Sequence, residues 1–185
     1  MDTDGRKKTF EMLVLPEMDA AYGFARWAMG NPGDAQDVIQ IAMARARRFI
    51  DGQRSVNSRV WILGIVRDTG LNWLRSRPHQ DRAEPARSAP IFTDLSLPVA
   101  IGNRNGGQPP KVVLQPSQVH ALRCAIAELP LEQREIVVLR DIENLSYREI
   151  ARILEIPLTT MMSRLAQARD ALERCLHDLE GLHGS

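Results

Sequence analysis

The stretch LPLEQREIVVLRDIENLSYREIARILEIPLTTMMSRLAQARDAL, Leu129 to Leu172, reads as two helices joined by a tight turn, with the second free to lie in a DNA groove. Ser146 followed three residues later by Glu149 forms a capping box, in which hydroxyl and carboxylate each satisfy a backbone N–H orphaned at a helix start. Tyr147, Ile150, Ala151 and Leu154 then fall on one face at helical spacing. This helix is expected to stop near Glu155. Ile156 is the apolar turn residue, and Pro157, which has no N–H to lose, suits the start of the next helix. There Leu158, Met161, Leu165, Ala168, Leu172 and Leu176 recur every three or four residues and are expected to face a core. The opposite face carries Thr160, Met162, Ser163, Arg164, Gln167 and Arg169, side chains able to meet phosphates or base edges. By spacing alone, an ordinary helical hairpin with a solvated polar face fits equally well.

Composition is compatible with a soluble helical protein. The 185 residues are 44% hydrophobic and only 5% aromatic, which suits one medium core or two small helical ones better than a β-sandwich. No apolar run approaches the ~20 residues of a membrane span, and MDTDGRKKTFEMLVLPEMD offers no cleavage site, so a cytoplasmic location is expected. Cys124 and Cys175 are too few for a disulfide framework and are expected to be helix-core residues. Cys175, His177 and His183 lack the paired spacing of a zinc site, so no metal or other cofactor is expected. No catalytic constellation appears: the four histidines are scattered and no phosphate-cradling glycine loop follows a strand, so the chain is not expected to be an enzyme.

The net charge of +1 hides an uneven distribution: +3 over residues 1 to 82, +1 over 83 to 116 and −3 over 117 to 185. The acids of the last segment cluster before and after the second helix, leaving Leu158 to Arg169 with two arginines and no acid. Such weak electrostatics imply weak DNA binding alone, as for a subunit that borrows affinity from a larger DNA-binding machine.

Composition also sets the domain boundaries. Residues 81 to 116 are rich in proline, contain Gly102-Asn103-Arg104-Asn105-Gly106-Gly107 and show no sustained periodicity, so they read as a linker between a domain over 8–80 and another over 117–181. In the first domain, Asn31 or Asp34 can cap a helix running to about Ile50. It carries one apolar stripe of Val38, Ile41, Ala42 and Phe49 and a neighbouring one of Ile39, Met43, Ala46 and Ile50. Asn57 can cap another, from Ser58 to about Arg77, with Trp61, Ile62, Ile65, Val66, Trp73 and Leu74 among its core residues and arginines 59, 67, 75 and 77 supplying positive charge.

Two ordered sets of residues carry a family resemblance. Leu129-Pro130, the run Arg134 to Arg140, Ser146 to Leu154, Ile156-Pro157, Thr159-Thr160, Ser163-Arg164-Leu165 and Ala168-Arg169 resemble region 4 of the bacterial sigma-70 family, specifically its extracytoplasmic-function (ECF) group. Upstream, Tyr22 to Arg26, Gly30 to Gln40, Arg59 to Ile62, Ile65 to Arg67 and Asn72 to Arg75 resemble region 2 of the same group. The resemblance implies an all-α protein of two small helical domains, the second a helix-turn-helix. It implies that Asp34, Asp37, Ile39 and Gln40 bind the clamp helices of core RNA polymerase. Arg54, Ser55, Asn57, Arg59, Arg67 and Arg75 would engage the minus-ten element, and Arg148, Thr160, Met162, Ser163, Arg164 and Gln167 the minus-thirty-five element. The linker would thread through the polymerase toward its RNA exit channel.

Some positions depart from the family pattern. Ile41 replaces a frequent acid, Ser58 a frequent aromatic, Asp68 a common asparagine and Thr159 the usual glycine. Met161 and Met162 stand for a valine and a basic residue; Met162 can meet a thymine methyl but cannot hydrogen-bond a guanine. The expected function is an ECF-type sigma factor whose partners are core polymerase, promoter DNA and an anti-sigma factor. A sigma-like mimic that titrates an anti-sigma factor without initiating transcription is the alternative. A stand-alone repressor is disfavoured by the second matched domain and the acidic reader.

Overall fold

A computed structural model describes residues 3–52, 57–76 and 116–182. Two compact units, each with its own core, lie on either side of the segment 77–115, and every regular element among the described residues is helical.

The first unit holds α1 (Thr3–Val14), α2 (Met18–Met29), α3 (Pro32–Phe49) and α4 (Ser58–Ser76). A three-residue 3₁₀ turn at Leu15–Glu17 joins α1 to α2, and another, Ile50–Gly52, follows α3. The breaks have local causes. Gly30, with φ 68°, takes the left-handed conformation that closes α2, and its N–H donates to the Arg26 carbonyl at 3.0 Å. Asn31 then caps α3 by accepting from the Gly33 N–H at 2.8 Å, with Pro32 in the first turn. Asn57 does the same for α4, accepting from the Val60 N–H at 3.2 Å. Helices α2, α3 and α4 bury Phe24, Val38, Ala42, Ile62, Leu63 and Val66 between them. Gly70 of α4 packs against the end of the Met29 side chain of α2, which an added Cβ, 2.8 Å from Cε, would displace. Arg45 Nη1 donates to Thr69 Oγ1 at 3.0 Å, and that hydroxyl donates to the Ile65 carbonyl at 2.7 Å, tying α3 to α4.

Three details go beyond the sequence reading. The chain is helical from Thr3, ahead of the boundary at residue 8. The first stripe of α3 divides: Val38 and Ala42 are buried, whereas Ile41 and Phe49 are 41% and 61% exposed, because neighbouring helices cover a narrower arc than the apolar pattern spans. Trp61, Ile65, Trp73 and Leu74 are half-buried rather than central.

The second unit holds α5 (Pro116–Glu128), α6 (Leu131–Val137), α7 (Tyr147–Leu154) and α8 (Leu158–Leu182). Pro116 opens α5, one residue before the expected domain start at 117; the rest of 81–116 lies outside the described residues. Helix α6 runs directly into a π-helical turn, Val138–Ile142, where the Glu143 N–H donates to the Val138 carbonyl at 2.9 Å. Asn144 follows with φ 56°. The core gathers Ile126, Ile136, Leu139, Ile150, Met161, Leu165 and Ala168. Arg134 is buried and donates to the carbonyls of Ala127 and Leu129, satisfying acceptors left open where α5 ends. Burial lowers its guanidinium pKa from the ordinary value, against the opposing pull of Glu128 and Glu135. Cys124 and Cys175 are half-buried, not core.

Glu155 closes α7 in the left-handed region, φ 54° and ψ 40°, where a side chain is strained. Glu155→Gly is therefore expected to stabilise the unit by about 0.5–1 kcal/mol, visible as a higher denaturant midpoint at unchanged slope.

Candidate nucleic-acid and polymerase surfaces

The helix-turn-helix is assembled from local chemistry. The capping box forms: Ser146 Oγ accepts from the Glu149 N–H at 3.3 Å, and Glu149 Oε2 accepts from the Ser146 N–H at 2.8 Å. After Glu155, the Ile156 N–H donates to the Ala151 carbonyl at 3.1 Å and the Met161 N–H to the Pro157 carbonyl at 3.0 Å, so one helix ends and the next begins within three residues. Met161, Leu165 and Ala168 face the core as expected. Leu158, the first residue of α8, is 39% exposed and Leu172 is half-buried; the Leu176 side chain lies outside the described residues.

On the outer face of α8, Ser163 and Gln167 are exposed, Met162 is 50% exposed, and Thr160 and Arg164 are half-buried. Arg148 is exposed on α7. Residues 160, 163, 164 and 167 share one side of α8 by helical spacing. The electrostatics differ from the sequence reading. Arg164 Nη1 lies 2.9 Å from Glu132 Oε2, and Arg169 Nη2 lies 2.7 Å from Asp141 Oδ1. Acids separate in sequence from the recognition helix thus fold back onto Arg164 and Arg169. The hydrogen bond to Asp141 is the largest influence on Arg169 and raises its pKa. Arg140 sits over the Tyr147 ring, 4.7 Å from its centroid, and donates to the Leu145 carbonyl at 2.8 Å, which fixes the start of α7 against the π turn.

In the first unit, Asp37 and Gln40 are exposed on α3, beside Ile41 and Ala44. Asp34 and Ile39, grouped with them by sequence, are buried: Asp34 sits in the first turn of α3 and Ile39 on its inward side. Of the minus-ten set, Arg54 and Ser55 lie outside the described residues. The Asn57 side chain is engaged as a helix cap. Arg59 Nε lies 3.9 Å from Glu17 Oε2, Arg67 is half-buried and Arg75 is exposed at the last turn of α4. Eight-residue steps turn each of these cations about 80° further round the helix, so they do not form one stripe.

Sequence reasoning missed a groove of about 1190 Å³ between α1 and α3, floored by Phe10, Met18 and Met43 and edged by Arg47 and Arg48. Its sequence signal was the spacing of the apolar Phe10, Leu15 and Met18 along the N-terminal segment, which was not read as a helix.

These features define a protein of two helical domains, one of them a helix-turn-helix unit. Residues 13–79 match the family model of sigma-70 region 2, and residues 120–172 that of sigma-70 region 4. The RNA polymerase sigma-H factor of Pseudomonas aeruginosa is 29% identical across an alignment covering 95% of this chain and 90% of that protein. The ECF RNA polymerase sigma-E factor of Escherichia coli K12 is 27% identical over the same shares. Among solved structures, the sigma factor RpoE from Bartonella quintana, in complex with the anti-sigma factor NepR, superposes with a TM-score of 0.64 at 22% identity, covering 95% of this chain and 98% of that one. CnrH in complex with the cytosolic domain of CnrY gives 0.60 at 19%, covering 93% and 90%. The chain belongs to the sigma-70 family, in its ECF group.

Proposed function

We propose that this chain binds core RNA polymerase and directs it to promoters, opening the DNA and initiating transcription. The observation that carries this is the pairing, in one chain and in the family's order, of a region 2 unit presenting Asp37 and Gln40 with a region 4 unit presenting the outer face of α8. Asp37 and Gln40 meet the polymerase clamp; buried Asp34 and Ile39 hold the α3 start in place beneath them. Helix α4 and the segment before it engage the minus-ten element. Unpairing costs a few kcal/mol per base, and pocket contacts with stacking recover about 1–3 kcal/mol per base, so melting is driven by binding its own product. Thr160, Met162, Ser163 and Gln167 meet base edges of the minus-thirty-five element, with Arg148 and Arg164 toward the phosphates. The site of action is the cytoplasm; among the described residues no helix is long and apolar enough to cross a membrane.

An inhibitory anti-sigma partner fits the exposed apolar residues of the first unit, Ile41 and Phe49 of α3 with Met12 of α1 and Leu15 of the turn after it, which a monomer gains nothing by leaving in water. A partner covering them competes with core polymerase for α3. One observation supports the second reading, a mimic that only titrates such a partner: Ile41, Asp68 and Met162, all departures from the family pattern, lie on the surface, where they alter contacts without cost to the fold. Size-exclusion chromatography with purified core polymerase, with and without the inhibitory partner, tests both. A stable complex with core that the inhibitor disrupts supports the sigma factor. Binding to the inhibitor without binding to core supports the mimic, and simultaneous binding of both defeats the shared surface.

A further inference from the structure

We propose that Glu132 is a built-in competitor for DNA: it holds Arg164 in a neutral pair and so sets how strongly the helix-turn-helix unit grips DNA of any sequence. This rests on the reading of the outer face of α8 as a DNA surface.

Glu132 lies in the first turn of α6, where the positive end of the helix dipole favours a carboxylate. From there Oε2 reaches Arg164 Nη1 at 2.9 Å, across the packing of α6 on α8. A phosphate approaching Arg164 therefore meets a pair with no net charge, and a carboxylate that repels it. Arg164 and Arg169 of α8 differ in how firmly they are held. Asp141 is 23% exposed, against 49% for Arg169, and their 2.7 Å hydrogen bond ties α8 to the π turn through the more shielded of the two carboxylates. Glu132 is 71% exposed and Arg164 38%, so their pair is screened, weak and exchangeable. Arg164 can pass from the carboxylate to a phosphate at small cost, whereas Arg169 cannot without loosening the unit. The unit's charge of −3 acts in the same direction, and Glu132 is the acid placed to act on a single DNA contact. A lone unit then grips DNA less tightly than it otherwise would, because one of its phosphate-seeking cations starts out paired.

The test uses the full-length chain and a random-sequence duplex, followed by fluorescence anisotropy over a potassium chloride series. Glu132→Gln is expected to tighten binding about two- to fivefold at low salt and to steepen the log–log salt dependence by about one charge. The thermal midpoint should not move, since an exposed pair contributes little to stability. Adding Arg164→Ala to Glu132→Gln should erase the gain, which a general change in net charge would not. Gln167→Ala in the holoenzyme, on a promoter selected with the unaltered protein, is the control for the underlying reading. If Glu132→Gln changes neither affinity nor slope while Gln167→Ala weakens promoter binding, α8 reads DNA and the competition proposed here is wrong. If neither variant has an effect, the DNA reading of α8 fails and the proposal fails with it.

Discussion

Asp37→Arg is expected to abolish assembly with core RNA polymerase while leaving helicity and thermal stability nearly unchanged. Asp37 is exposed on α3, one turn from Gln40 and beside Ile41 and Ala44, so reversing its charge should alter stability by no more than about 0.5 kcal/mol. The same reversal, placed where a partner's cation is to be met, replaces attraction by repulsion in a desolvated contact, and losses of roughly 2–5 kcal/mol are usual for one member of such a pair. Asp34→Ala is the informative contrast. Because Asp34 is buried, its loss should act through stability first, with any loss of assembly following the unfolded fraction. Native gel shift with core enzyme, beside circular dichroism of each variant, separates the two. Normal affinity of Asp37→Arg for core would remove Asp37 from the interface.

Two adjacent methionines are expected to give opposite results. Met161 is fully buried on the inner side of α8 and Met162, next to it, is 50% exposed. Met161→Ala should destabilise the second unit by about 2–5 kcal/mol, because the cavity left among Ile150, Leu165 and their neighbours cannot fully collapse. Met162→Arg should leave stability within about 0.5 kcal/mol. It should instead change the base preferred at one promoter position by roughly 1–3 kcal/mol, since a bidentate donor replaces a thioether at the groove edge. Denaturant unfolding and holoenzyme selection from a randomised minus-thirty-five library measure the pair. An unchanged selected sequence for Met162→Arg would show that Met162 does not face the bases.

Much of this architecture is legible from short-range signals. Ser146 with Glu149, Asn31 before Pro32, Asn57 before Ser58 and Pro157 after Ile156 each fix a helix boundary through chemistry confined to one turn, and all four boundaries fall where those residues direct. What depends on distant parts of the chain is not legible. Periodicity identifies the apolar arc of α3 but not how much of it neighbours cover, so one stripe divides into buried Val38 and Ala42 and exposed Ile41 and Phe49, while Asp34, grouped with the surface residues Asp37 and Gln40, is buried. The π turn at Val138–Ile142 has no sequence signal of its own. The pairing of Arg169 with Asp141 spans 28 residues and that of Arg164 with Glu132 slightly more, so charge counting along the chain placed those acids away from the recognition helix they neutralise. Helix α1 escaped because its apolar residues are few and only Val14 is fully buried.

The central claim is that this chain, by supplying promoter recognition, turns core RNA polymerase into an initiating enzyme. Run-off transcription with purified core polymerase from the same cell, on pooled genomic fragments and with the chain added or withheld, tests it most directly. The account predicts discrete transcripts that appear only with the chain, are lost with Asp37→Arg and change their start sites with Met162→Arg. A core enzyme that binds the chain yet produces no chain-dependent transcript from any fragment would contradict it.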